Sequence, residues 1–155
     1  MKMRIEIDDT LSQEEIVIRC PQLNKEIADL QKSIAEIVGR EKKLIFEKEG
    51  KEYLISAEDI IFFETEDKKV YVHTADNVYT SKYKLYELEA LLPHTFIRVS
   101  KSSIINIKKI YSISWNIASS SVVEFVNTPK KVYVSRTYYK ILKERLANRE
   151  EFGGW

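Results

Sequence analysis

Residues 96–145 read FIRVSKSSIINIKKIYSISWNIASSSVVEFVNTPKKVYVSRTYYKILKER, and this stretch decides the reading of the chain. Short apolar runs recur in it at Ile97–Val99, Ile104–Ile107, Ile110–Trp115, Val122–Phe125 and Lys131–Val134, and each has the length and β-branched content of a strand. Thr137–Leu146 predicts a terminal helix with Tyr138, Ile141, Leu142 and Leu146 on its apolar side and Ser135 as its cap. Two polar clusters, Ser100-Lys101-Ser102-Ser103 and Ser135-Arg136-Thr137, each follow one of the strand-like runs. Each sets one cation among small hydroxyl side chains. That chemistry suits a surface that grips phosphates and reads base edges, not a cleft that breaks bonds.

Charge is distributed to match. The whole chain carries a formal net charge of +1. Arg98 to Arg145 holds ten Lys and Arg against two acids, Glu124 and Glu144, a net of +8. Residues 1–97 hold fourteen against twenty, a net of −6. A neutral total therefore hides a basic segment, and such asymmetry points to a polyanionic partner.

Working outward, the preceding sequence alternates strand and turn signals. Leu44–Phe46 and Tyr53–Ile55 flank Glu49-Gly50 and predict a hairpin, and Val70–Thr74 and Val78–Thr80 predict another around Asp76-Asn77. Ser56 to Asp59 resembles a short capped turn, and Ile60–Glu64 is apolar enough for a buried strand. Tyr83–Leu92 predicts a short helix with Leu85, Leu88 and Leu92 inward, stopped by Pro93. Towards the start, Met3–Ile7 and Glu15–Cys20 read as strands. Asn24 is placed to cap a helix that presents Ile27, Leu30, Ile34 and Ile37 along one face before Gly39. The expected class is α+β and β-rich, built from antiparallel strands and small helices. The expected division is a strand–helix extension over 1–42, a main domain over 43–148 and a loose tail over 149–155.

Bulk composition excludes several classes. A chain of 155 residues, 44% hydrophobic and 32% charged, is a folded protein with one main core. No apolar run approaches the ~20 residues of a membrane span. MKMRIEIDDT lacks an apolar signal core, so a cytoplasmic location is expected. Cys20 stands alone in an apolar run and is expected as a buried thiol. His73 and His94 have no partners at metal-ligand spacing, and four glycines form no phosphate-cradling loop. The serines at 100–103 and 118–121 have no adjacent base to activate a nucleophile. Trp115 and Tyr111 alternate with Ile113 and are expected to pack in the core or on a sheet face. No enzyme, cofactor, metal or small-molecule substrate is expected.

Stiff turns make good readers of DNA. A cation on a short turn held at both ends by strands enters a groove with little ordering cost. Arg136 suits bidentate contact with guanine, and Lys101 reaches the same acceptors as a point donor. The hydroxyls of Ser100, Ser102 and Ser135, and the helix amides near Thr137, suit phosphate oxygens. Lys68 and Lys69 lie at a further turn and make a third tip.

The segments IIFFETEDKKVYVHT, YKLYELEALLPHTFIRVSKSSIINIKKI and KVYVSRTYYKILKERL together resemble the LytTR DNA-binding domain of bacterial transcription regulators, over about residues 44 to 146. The resemblance implies an elongated β-rich fold whose loops enter successive major grooves, with two copies on paired direct repeats. It implies three base-reading positions: Lys68 or Lys69, with Lys69 expected as the base reader, Lys101, and Arg136 in the VSR motif. Arg98 and Ser102 match backbone-touching positions, and Lys68, Ser100, Ser135 and Lys140 complete the expected backbone contacts. Many members carry His where this chain has Ser100.

Many relatives in that family carry an N-terminal phosphate-accepting receiver domain, for which residues 1–42 are too few. The expectation is therefore a stand-alone regulator, homodimeric at least on DNA. Regulators of this short type are often paired with a small membrane protein that holds them inactive. The alternative is a protein-interaction module acting as the cytosolic partner of a membrane protein. On either reading, Ile27, Leu30 and Ile34 cover the sheet or form a dimer seam.

Overall fold

The computed structural model describes residues 1–11, 14–38, 42–116 and 118–151. By its internal contacts the chain divides into Met1–Arg40 and Glu41–Trp155. In the first unit, helix α1 spans Lys25–Val38. Asn24 caps it: its side-chain oxygen accepts the Ile27 N–H at 2.9 Å and its carbonyl accepts the Ala28 N–H at 2.9 Å. The expected strands at Met3–Ile7 and Glu15–Cys20 are not formed. Met3, Ile5, Ile7, Ile16 and Val17 are all exposed, and so is Cys20, contrary to the expected buried thiol. Alternation supplies a strand's pattern, but a strand also needs a partner for its backbone groups, and among the described residues none pairs with these segments.

Among its described residues the second unit holds ten strands in two antiparallel sheets. The strands are β1 Lys43–Lys48, β2 Lys51–Ser56, β3 Phe62–Glu66, β4 Lys69–His73, β5 Val78–Ser81, β6 Phe96–Ser100, β7 Ser103–Asn106, β8 Ile110–Ser114, β9 Ser121–Phe125 and β10 Lys131–Val134. The larger sheet runs β2-β1-β5-β4-β3-β7-β6, and the smaller runs β10-β9-β8. Helix α2 spans Leu85–Leu91 and helix α3 spans Arg136–Glu151.

Period-two alternation in three strands creates two cores. Phe63, Ile104 and Phe96 face one side and pack with Leu44, Phe46, Val72 and with Leu85 and Leu88 of α2. Their chain neighbours Phe62, Ile105 and Ile97 face the other side and pack with Val123, Phe125, Val132, Val134 and Leu142 of the smaller sheet and α3. β3, β7 and β6 are thus covered on both faces, which is why adjacent residues are apolar at Phe62-Phe63, Ile104-Ile105 and Phe96-Ile97. Buried Asn106, at the end of β7, ties that strand to the segment entering β3, its side-chain amide donating to the Ile60 carbonyl at 2.9 Å.

Turn chemistry fixes the register of the hairpins. Glu49 and Gly50 both have positive φ, 52° and 75°, which a two-residue hairpin between twisted strands requires. At the far end of the chain α3 continues past the expected stop at Leu146 to Glu151. Residues 149–151 are helical rather than a loose tail, because 147–151 contain neither Gly nor Pro. The rest of the expected tail, 152–155, lies outside the described residues.

Candidate nucleic-acid interface

Strand register brings the three cationic turns to one end of this unit. β3 and β7 lie side by side and antiparallel, with Glu64 opposite Ser103. The turn that leaves β3 therefore stands beside the turn that enters β7, and the Thr65 N–H donates to the Ser102 carbonyl at 2.8 Å. β10 delivers the third: the Ser135 N–H donates to the Val99 carbonyl at 2.9 Å, so α3 begins beside the end of β6.

The first turn is Asp67-Lys68, with φ of 48° and 64°, linking Glu66 to its partner Lys69. Lys68 and Lys69 are both exposed. The second is Lys101-Ser102, linking Ser100 to Ser103. Ser100 Oγ accepts the Ser102 N–H at 3.2 Å and lies 3.3 Å from Ser102 Oγ, so the hydroxyls expected on phosphate also close their own turn. Lys101 is exposed, and its ammonium has no partner among the described residues. Arg136 is the first residue of α3 rather than part of a loop. Ser135 precedes it at the capping position, but as a carbonyl: its oxygen accepts the N–H groups of Tyr138 and Tyr139 at 3.1 and 3.0 Å. Arg136 is exposed, at a helix end where the outward-facing amides also favour anions. Lys140, exposed one turn on, lies 3.9 Å from Glu144 in a weak surface pair.

Arg98 is differently employed. Its Nε donates to the Ser100 carbonyl at 2.7 Å, and its two terminal nitrogens bond the Lys101 carbonyl and the Glu89 carboxylate. A register shift between Arg98 and Ser100 opens these carbonyls to it. Glu89, from α2, carried no functional signal in the sequence, since nothing in its spacing marks it as this arginine's partner.

Two further features escaped sequence reasoning. Trp115, just past β8, stands edge-on to Tyr139 with ring centres 5.0 Å apart, and Lys143 Nζ lies 5.6 Å from the Trp115 ring centre. Ser114 pairs with Val122 and Ser121 with Val134, so this cluster shares the end occupied by Ser135 and Arg136. Tyr111, in β8, is exposed rather than packed in the core. The second feature is a buried polar group around His73. Its Nε2 lies 2.8 Å from Glu64 Oε1 and its ring stacks on Phe62 at 4.1 Å. A carboxylate only accepts, so the shared proton belongs to Nε2, and buried Nδ1 has no partner among the described residues. Burial pushes His73 below its ordinary value, against the pull of Glu64 and with the push of Lys130. Burial also lowers Lys130, whose ammonium donates to the Thr74 carbonyl at 3.2 Å.

Among the described residues no three His, Cys, Asp or Glu side chains gather in a way that could hold a metal, and no helix is long and apolar enough to cross a membrane. What this end offers is a set of stiff, exposed cations and hydroxyls.

Comparison with known proteins places the fold in a family. An uncharacterized HTH-type transcriptional regulator of Staphylococcus aureus (strain NCTC 8325 / PS 47) is 28% identical over 148 residues, covering 95% of this chain and 99% of the relative. Its counterpart in Staphylococcus aureus (strain MRSA252) has the same identity and coverage. Among solved structures, the LytTr DNA-binding domain of a Bacillus cereus protein described as a methyl-accepting/DNA response regulator superposes with a TM-score of 0.64 at 28% identity, over 69% of this chain and 98% of that one. Residues 50–147, nearly the whole second unit, match the LytTr DNA-binding domain family, and the chain belongs to that family.

Proposed function

We propose that this chain is a transcription regulator that reads double-stranded DNA through the end of its second unit. The observation that carries the reading is the convergence of three cationic turns, locked together by Thr65 to Ser102 and by Ser135 to Val99. Lys69, Lys101 and Arg136 read base edges in the major groove, while Lys68, Ser100, Ser102, Ser135 and Lys140 hold the phosphate backbone. The Staphylococcus aureus relatives are called HTH-type, but among the described residues of this chain five strands, β6 to β10, intervene between α2 and α3, and no two α-helices follow one another across a short turn. Groove entry therefore falls to the turns and the first residue of α3. Two copies on paired direct repeats would double the contact, since one end offers few base-reading side chains.

The test is selection of bound fragments from a genomic library with the whole chain, followed by salt titration of the winner. With about four to six phosphates neutralised per copy, log affinity falls with log salt at a slope of roughly −4 to −5. The reading is lost if no duplex is preferred over bulk competitor at low ionic strength.

A second reading, as a protein-interaction module, draws on one observation. Ile45 and Leu54 face each other across β1 and β2 yet are 52% and 70% exposed. Replacing both with Thr leaves the DNA preference intact if that face serves a protein partner, including an inhibitory membrane protein.

A further inference from the structure

We infer that Arg98 is a positioning residue for the Lys101 turn, held to that task by Glu89, and that Glu89 therefore strengthens sequence-specific DNA binding although it is an acid at the cationic end. This inference rests on the reading of that end as the DNA-binding surface. A guanidinium beside two serine-rich turns would ordinarily be assigned to a phosphate. Here three of its nitrogens are spoken for, by the carbonyls of Ser100 and Lys101 and by the Glu89 carboxylate. Those carbonyls belong to the turn that carries Lys101, and the opposite side of the same turn is held by the Thr65 N–H on the Ser102 carbonyl. The three acceptors are met by three separate nitrogens in fixed in-plane directions, which the single ammonium of Lys cannot reproduce. Glu89 is supplied by α2, which packs through Leu85 and Leu88 on the first core, so the fork is anchored to the body of the sheet. The arrangement fixes the backbone from which the Lys101 side chain rises, and a base-reading donor discriminates better from a fixed base.

The two possible roles of Arg98 give opposite signs for Glu89. As a phosphate contact, Arg98 would be released by Glu89→Gln, and binding would tighten. As a turn brace, it loses its anchor, and specific binding weakens. The experiment titrates the whole wild-type chain and the variants Glu89→Gln, Arg98→Gln and Arg98→Lys against the selected duplex and a random duplex over a salt series. Expected are losses of about tenfold to a hundredfold on the selected duplex for all three variants, the range of one good base contact. Little change is expected on random DNA, and the salt slope stays as in wild type. Tighter binding by Glu89→Gln, or a slope reduced by about 0.9 in Arg98→Gln, overturns the inference. Amide hydrogen exchange across residues 100–103 gives a readout that needs no DNA. It accelerates in Arg98→Gln and Glu89→Gln if the brace is real, and unchanged exchange overturns it. If wild type prefers no duplex while exchange still accelerates, the failure lies with the DNA reading and not with the brace.

Discussion

Lys101 stands in a turn and Lys130 in a loop of the same unit, and they are used in opposite ways. Lys101 is exposed, on a turn braced from both sides, with no partner among the described residues. Lys130 is half-buried, donates to the Thr74 carbonyl and sits in the field of Glu64 and Asp76. One charge faces outward; the other joins the loop after β9 to the end of β4. Basic composition alone cannot separate these uses. The difference lies in what surrounds each ammonium, and that is set by strand register.

The contrast depends on the two layers being held in register, and Phe62 does much of that. Its ring stacks on His73 at 4.1 Å and on Phe125 at 5.5 Å, so it touches both sheets. Phe62→Ala is expected to cost about 3–5 kcal/mol, read as a lower urea midpoint, because the buried site cannot collapse around the loss. A cost under about 1 kcal/mol, in the range of a tolerated surface change, would mean that the layers are held elsewhere.

Next in size are the outward cations. Arg136→Ala is expected to cost about 1–3 kcal/mol on the selected duplex and far less on random DNA. Equal loss on both would reduce Arg136 to a phosphate contact. Lys130→Ala, at the other end, should leave both affinities unchanged; a loss there would erase the distinction drawn between the two lysines.

Lys68 offers a smaller and sharper case. It holds φ at 64°, a conformation in which Gly or Asn is at ease and a long side chain is not. Lys68→Gly should stabilise the fold by up to about 1 kcal/mol in urea unfolding while removing one cation from the tip. If specific affinity survives and only the salt slope falls, Lys69 is the base reader of this turn and Lys68 a backbone contact.

Much of this was legible in the sequence, and the reasons differ by region. The continuous apolar runs around Phe62-Phe63 and Ile104-Ile105 suited strands by length and residue type, and the two cores explain why neighbouring side chains on both faces are apolar. Leu85 and Leu88 marked α2 by spacing alone. Alternation misled at Met3–Ile7, since a pattern of side chains says nothing about whether a neighbouring backbone is there to pair. The candidate site was legible as residue types but not as roles. Arg98 reads as one more cation beside serines; its use as a brace depends on Glu89, a helix away, and on a register shift after it. His73 was placed on a strand, but its buried contact with Glu64 follows from the pairing of β3 with β4.

The smallest effect tests the inward half of the contrast through pH. His73 is held below its ordinary value of 6.5, chiefly by burial. Protonating it would add an N–H at Nδ1, where no acceptor is present among the described residues. The unfolded chain therefore takes up this proton first as pH falls, so the stability contributed by the neutral ring is complete above about 6.5 and declines as pH drops below that value. Urea midpoints measured from pH 7.5 down to 5.5 should fall more steeply for wild type than for His73→Gln. Parallel curves would place the pH dependence elsewhere. Lys130 adds to the downward push on His73, so Lys130→Ala should move the His73 titration, followed by NMR, upward. The same substitution also deprives the Thr74 carbonyl of its donor, which opposes any stability gained by easing the histidine. The titration shift, and not the urea midpoint, is therefore the measurement that tells whether Lys130 faces the interior as Lys101 faces out.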